Sequence, residues 1–214
     1  MALRYNESSQ KIQNHSQVLR QSLRDNPVLL TASGCALVAG AAISAANVFA
    51  LSVLMLILLV IVGLISTIDG DRLKLPTKPI VYVGITTAAV FLTVFFVNSI
   101  TGGFFDRLGI YAPLAAVSSL ALCRTKDDSP FFEKAEAVTD AAALTAVFAF
   151  VALPVAIVRE LLGFGRIFGI TVTYQTHSVW LYPFIGFILV GFCLAGTRRL
   201  IEFIPEPKEG GEEK

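Results

Sequence analysis

Between Asp25 and Asp69 the chain carries no charged side chain, and a second uncharged block separates Lys78 from Asp106. A stretch of more than 40 residues of this kind is too long for one crossing of a bilayer. Ser44 to Asn47 offers the only polar break near its middle, so it divides into two apolar segments. Over the 214 residues, 55% are hydrophobic and only 15% are charged, whereas a soluble domain carries about 25% charge. The chain reads as an integral membrane protein whose main surroundings are the lipid bilayer. Its basic residues punctuate the apolar blocks and form no patch, so no nucleic-acid partner is expected. The polar start, MALRYNESSQKIQNHSQ, has no apolar core after a basic region, so no cleaved signal peptide is expected. Three cysteines, all within apolar segments, do not make a secreted disulfide framework.

Six apolar segments can be drawn, at about 28–44, 47–67, 79–100, 108–123, 138–161 and 179–200. The fourth is confined between Arg107 and Arg124, a gap of 16 residues. As a helix that gap reaches about 24 Å, against a hydrocarbon core of about 30 Å. The order is short, long, long, and then short, long, long. The expected fold is an all-α membrane protein of six transmembrane helices, arranged as two inverted three-helix repeats with the first helix of each short or broken. The divisions are a polar N-terminal segment at 1–25, repeats at 26–103 and 104–202, and a charged tail at 203–214. Residues 1–24 read either as an amphipathic helix lying on the membrane or a partner, or as a solvated tail. With the N-terminus in the cytoplasm, 14 basic residues fall on the cytoplasmic side, leaving Arg107, Arg159 and Arg166 outside. The positive-inside rule therefore places both termini in the cytoplasm.

The span interiors, so drawn, hold no Asp, Glu, Lys or Arg; Asp140, Arg159 and Glu160 fall at the ends of the fifth segment. This disfavours a self-sufficient ion pump, which usually shows intramembrane carboxylates. Arg159-Glu160 reads as an interfacial ion pair anchoring a helix end, and Gly163-Phe164-Gly165-Arg166 as a helix exit. His15 and His177 lie outside the spans and give no metal site. Cys193, between Gly191 and Gly196, reads as packing. Cys35 and Cys123 each occupy one of the two short segments. Short segments at corresponding places in two halves point to a midplane site, and a pair of soft thiols there suggests iron–sulfur chemistry.

Several stretches together resemble one family. They are Asn26-Pro27-Val28-Leu29, Gly34-Cys35, Leu108-Gly109-Ile110-Tyr111-Ala112-Pro113-Leu114, Asp140 and the run from Arg159 to Gly169, RELLGFGRIFG. The family is the six-span membrane subunits of the Rnf ion-translocating ferredoxin:NAD⁺ oxidoreductase and the related sodium-pumping NADH:quinone reductase. The Asn-Pro start, the RE-LG-G helix end and the tail most resemble the E-type member of the Rnf complex and its D-type counterpart in the quinone reductase. The resemblance covers about residues 25–200. It implies a prokaryotic cytoplasmic (inner) membrane location and pairing with a homologous six-span subunit of opposite orientation. It also implies a [2Fe–2S] cluster shared between the two, to which each gives two cysteines. Flavin and iron–sulfur subunits of the complex would exchange electrons through that cluster, coupled to Na⁺ or H⁺ movement. Such a subunit is not catalytic alone, because the substrate sites belong to other subunits.

The chain departs from the family at the site itself. Its first cysteine, in Ser33-Gly34-Cys35, follows the Asn-Pro one residue early. Ser119 occupies the position of the second family cysteine, and Cys123 lies four residues later, one helical turn or about 6 Å along the axis. Three arrangements stay open. The cluster is held by Cys35 and Cys123; it is held by Cys35 with Ser119 or with fewer ligands from this chain; or the scaffold is a divergent, cofactor-free paralogue with a structural, assembly or ion-conducting role.

Overall fold

The computed structural model describes residues 28, 32, 34–69, 77–122, 134–167, 170–172 and 177–202. The expected N-terminal segment, the C-terminal tail and Cys123 lie outside these. The described chain is almost wholly helical. Helix α1 spans Cys35–Ala41, α2 Ala45–Asp69 and α3 Lys78–Thr101. A 3-10 turn at Asp106–Leu108 leads to α4, Tyr111–Ala116, and α5, Ser119–Leu122. Helix α6 spans Lys134–Phe164, followed by a two-stranded antiparallel ribbon, Arg166–Ile167 with Ile170–Thr171. A second 3-10 turn, Ser178–Leu181, precedes α7, Pro183–Glu202.

Among the described residues, four helices (α2, α3, α6 and α7) are long and apolar enough to cross a membrane. The described residues of the first and fourth apolar segments do not form such helices. Those of the first give the seven-residue α1, and those of the fourth are split into α4 and α5. Helix α6 extends past both predicted ends, so Asp140, Arg159 and Glu160 lie within it rather than at its margins, and all three are buried.

Helices α2 and α6 form the centre: about half of each apolar window is buried (50% and 56%), against 17% for α3 and for α7. They run antiparallel. Ala45, at the start of α2, meets Glu160 near the end of α6, while Gly63 lies against Ala137 near its start. The buried residues of the two helices include Ala45, Ala50, Ala137, Ala141 and Ala152 beside Leu51, Leu58 and Phe148. Small residues suit such an interface, because between helices in lipid close packing replaces the hydrophobic drive. On the outer helices, Phe91, Phe95 and Phe96 of α3 and Phe184, Phe187 and Phe192 of α7 point outward.

The short helices dock crosswise. Helix α1, from the first half, packs mainly on α7; α4, from the second half, packs mainly on α3. Gly186 allows the first of these contacts, since a Cβ there would stand 2.5 Å from the Ala39 carbonyl oxygen and 3.0 Å from its Cα. Helix α3 ends where Gly102 takes a left-handed conformation (φ 68°) and bonds the Asn98 carbonyl. The Asn98 side chain then spans the turn, donating to Asp106 Oδ1 (2.7 Å) and accepting from the Phe105 amide (2.8 Å).

Gly186→Ala should lower the stability of the purified protein by about 1–3 kcal/mol, because backbone atoms of α1 cannot yield to the added methyl. Gly191→Ala, in the same helix but meeting nothing within 4 Å, should not lower it and should raise it by up to about 1 kcal/mol. Thermal unfolding in detergent compares the two.

Candidate functional site

The two short segments meet at one point. Gly34 caps the start of α1 in a left-handed conformation (φ 84°), a backbone state that strains any residue with a Cβ. A Cβ would also stand 3.2 Å from the Phe148 ring. The Gly34 amide donates to Ser119 Oγ at 3.0 Å, across 85 residues of sequence. Cys35 is the first residue of α1, and its partly buried side chain packs against the apolar core. The neighbouring Ser118 hydroxyl accepts from the Ala121 amide (3.2 Å) and donates to the Ala115 carbonyl (2.8 Å). It thereby caps α5 and bridges the α4–α5 break. Ser118 thus serves its own helix, and Ser119 reaches the other half.

The break between α1 and α2 is held from α6. Arg159 is wholly buried and donates only to carbonyls. Nη1 reaches Ala39 (2.7 Å) and Ala42 (3.1 Å) at the end of α1. Nε reaches Trp180 (3.1 Å), and Nη2 reaches Leu181 (2.7 Å) and Tyr182 (3.5 Å), at the turn before α7. Glu160, also buried, accepts the Ala45 amide at 2.8 Å, at the start of α2. The expected interfacial ion pair is therefore corrected. The two side chains serve opposite ends of a broken helix, the guanidinium on orphan carbonyls and the carboxylate on an orphan amide. Each charge meets the complementary end of a helix dipole. A buried charge is tolerable on these terms, saturated with hydrogen bonds.

The second break has a neutral counterpart. Thr86, fully buried on α3, has the Ala116 carbonyl at the end of α4 within reach of its one hydroxyl proton (3.0 Å), shared with the Tyr82 and Val83 carbonyls of its own helix. Nothing in the sequence marks Thr86, which differs from other span threonines only in what faces it. For Arg159 and Glu160 a signal was present: two charges near the end of an otherwise apolar run.

Of the predicted site residues, the fold joins Ser119 to Gly34, the residue that precedes Cys35. Cys123 lies outside the described residues. Cys193 sits on α7, partly buried against the core, as a packing residue would. Among the described residues, no three His, Cys, Asp or Glu side chains converge as a metal-binding group. Gly163 to Arg166 ends α6 as expected: the helix stops at Phe164, Gly165 turns left-handed (φ 67°), and Arg166 stacks over the Phe164 ring.

Thr86→Val should destabilise the protein by about 1–3 kcal/mol, leaving the buried Ala116 carbonyl without its donor. Thr87→Val, whose hydroxyl bonds Val83 of its own helix on an exposed face, should be near neutral. Denaturation in mild detergent reads both.

The resemblance seen in the sequence holds under direct comparison. The family described as Rnf-Nqr subunit, membrane protein, matches residues 15–199. The chain is 22% identical over 180 residues to the E subunit of the proton-translocating ferredoxin:NAD(+) oxidoreductase complex of Clostridium ljungdahlii. That alignment covers 81% of this chain and 83% of the relative. Broken first segments, the RELLGFGRIFG run at the end of α6 and a match over nearly the whole length agree: the chain belongs to the Rnf-Nqr family of membrane subunits.

Proposed function

We propose that the chain is a membrane subunit of an Rnf-type or related ion-translocating electron-transfer complex. In it, the chain holds a [2Fe–2S] cluster jointly with a homologous six-span subunit of opposite orientation, and links electron transfer to Na⁺ or H⁺ movement. The observation that carries this reading is the meeting of Gly34-Cys35 with Ser119, where two broken helices from opposite halves cross. The crosswise docking of α1 on α7 and α4 on α3, around an antiparallel α2–α6 pair, supports two inverted repeats at 26–103 and 104–202. The distribution of basic residues supports cytoplasmic termini, and the family resemblance supports a prokaryotic inner membrane.

On this reading the chain would supply two of the ligands of such a site. A [2Fe–2S] cluster takes four ligands, most often thiolates. Cys35 offers a soft thiol and Ser119, bonded to the residue before it, a harder oxygen; Cys123 replaces Ser119 in the other arrangement that the sequence leaves open. The remaining ligands would come from a partner. A partner is also called for by the bilayer, where irregular backbone must be covered by protein or line a water-filled cavity. At the crossing, Ala32 has a positive φ (51°) and is exposed, as are Ala36 and Ser119. When bound, the cluster supplies one-electron transfer. The part of this chain is to ligate it, fix its place and keep it dry. Flavin and iron–sulfur subunits of the complex would stand on the two sides of the membrane.

Ser119 favours a second reading. A hydroxyl that already accepts the Gly34 amide serves as a structural bond without any metal. On this reading the chain is a cofactor-free paralogue with a structural, assembly or ion-conducting role.

EPR and iron analysis of the purified complex separate the two. We expect a [2Fe–2S] signal from the membrane pair, lost together with transmembrane electron transfer in Cys35→Ala. Ser119→Cys should keep the iron and move the g values, because a softer donor replaces oxygen. A membrane pair without iron, or unchanged turnover in Cys35→Ala, overturns the redox reading.

A further inference from the structure

We infer that Arg159 and Glu160 are positioning residues for Cys35: by clamping the α1–α2 break they set where the thiol stands. The redox consequence of this inference rests on the reading of Cys35 as a cluster ligand; the positioning itself does not.

Helix α1 has seven residues and no side-chain cap at Gly34. A helix under about 12 residues has little stability of its own, so its neighbours must place it. Its start is tied to the second half by the hydrogen bond from the Gly34 amide to Ser119. Its end is tied by Arg159 Nη1, which bonds both Ala39 and Ala42. Arg159 is itself fixed to the turn before α7 through Trp180 and Leu181. Glu160, the next residue of α6, holds the first amide of α2. One dipeptide therefore fixes both sides of the break at once. From Ala39 to Cys35 the chain is continuous α-helix, about 6 Å long. No flexible joint lies between them, so a shift at the clamped end arrives at the thiol undiminished.

The shape of the guanidinium is essential to this arrangement. Its planar fork reaches carbonyls of α1 with one nitrogen and carbonyls of the turn before α7 with the others. A lysine has the charge but a single nitrogen, and cannot span both groups. Arg159→Lys therefore separates the clamp from the charge. Glu160→Gln is the milder partner variant, keeping an acceptor for the Ala45 amide while removing the charge.

The test uses the full complex in native membranes, with the alkylation rate of Cys35 by a maleimide read by mass spectrometry alongside the EPR spectrum. In Arg159→Lys we expect the Cys35 rate to change by about tenfold, the scale on which small displacements act at a preorganised site. The g values or midpoint potential of any cluster signal should move with it. Glu160→Gln should show a smaller change of the same kind, and Arg166→Lys, on the exposed ribbon, none. An Arg159→Lys complex with wild-type Cys35 reactivity and spectrum overturns the inference. If Arg159→Lys does not accumulate, Glu160→Gln decides: wild-type Cys35 behaviour there overturns it as well. If the wild-type complex has no cluster signal but the Cys35 rate still changes, the redox reading fails and the positioning stands.

Discussion

A buried guanidinium saturated by five carbonyls is the contact on which the centre of this molecule depends. Breaking a helix inside a membrane exposes carbonyls on one side of the gap and amides on the other, with no water to satisfy them. Arg159 and Glu160, consecutive on α6, answer the two sides with opposite charges. The pair carries no net charge, and each member faces the end of the backbone dipole that favours it. The break in the first half is therefore stable only because the second half is folded against it.

The second break uses weaker means. Thr86 supplies one hydroxyl to Ala116, and Ser118 bridges α4 to α5. With Ser119 bonded to Gly34, each half contributes backbone-satisfying groups to the other. Gly186 lets α7 approach the α1 backbone so closely that no side chain stands between them. These contacts explain why short helices, too small to be stable alone, can hold a defined place.

Much of this was legible in the sequence, for physical reasons. Uncharged runs bounded by charges located the four long helices to within a few residues, because lipid permits little else. The confined space between Arg107 and Arg124 foretold a segment that could not make a full span, and it is split at Val117-Ser118. Ser119 was reached through family resemblance, and its partner proved to be a backbone amide. Arg159 and Glu160 were misjudged because adjacent opposite charges suggest one another as partners. Neighbours along a helix point in different directions, and the groups of the α1–α2 break that they reach lie more than 100 residues away. Thr86 gave no signal at all, since its role depends on a carbonyl that only the folded second half supplies.

That long-range closure bears on how the protein is made. The first half leaves the ribosome before the residues that satisfy its break exist. Until α6 has entered the membrane, the orphan groups around Ala39, Ala42 and Ala45 must be met by something else, such as water held at the translocon or an assembly factor. The α1–α2 segment is therefore expected to wait in an interfacial or guarded state. Its final place would be reached only after the arginine and glutamate of α6 have been threaded into position, so the settling of this break is expected to be concerted between halves rather than strictly sequential.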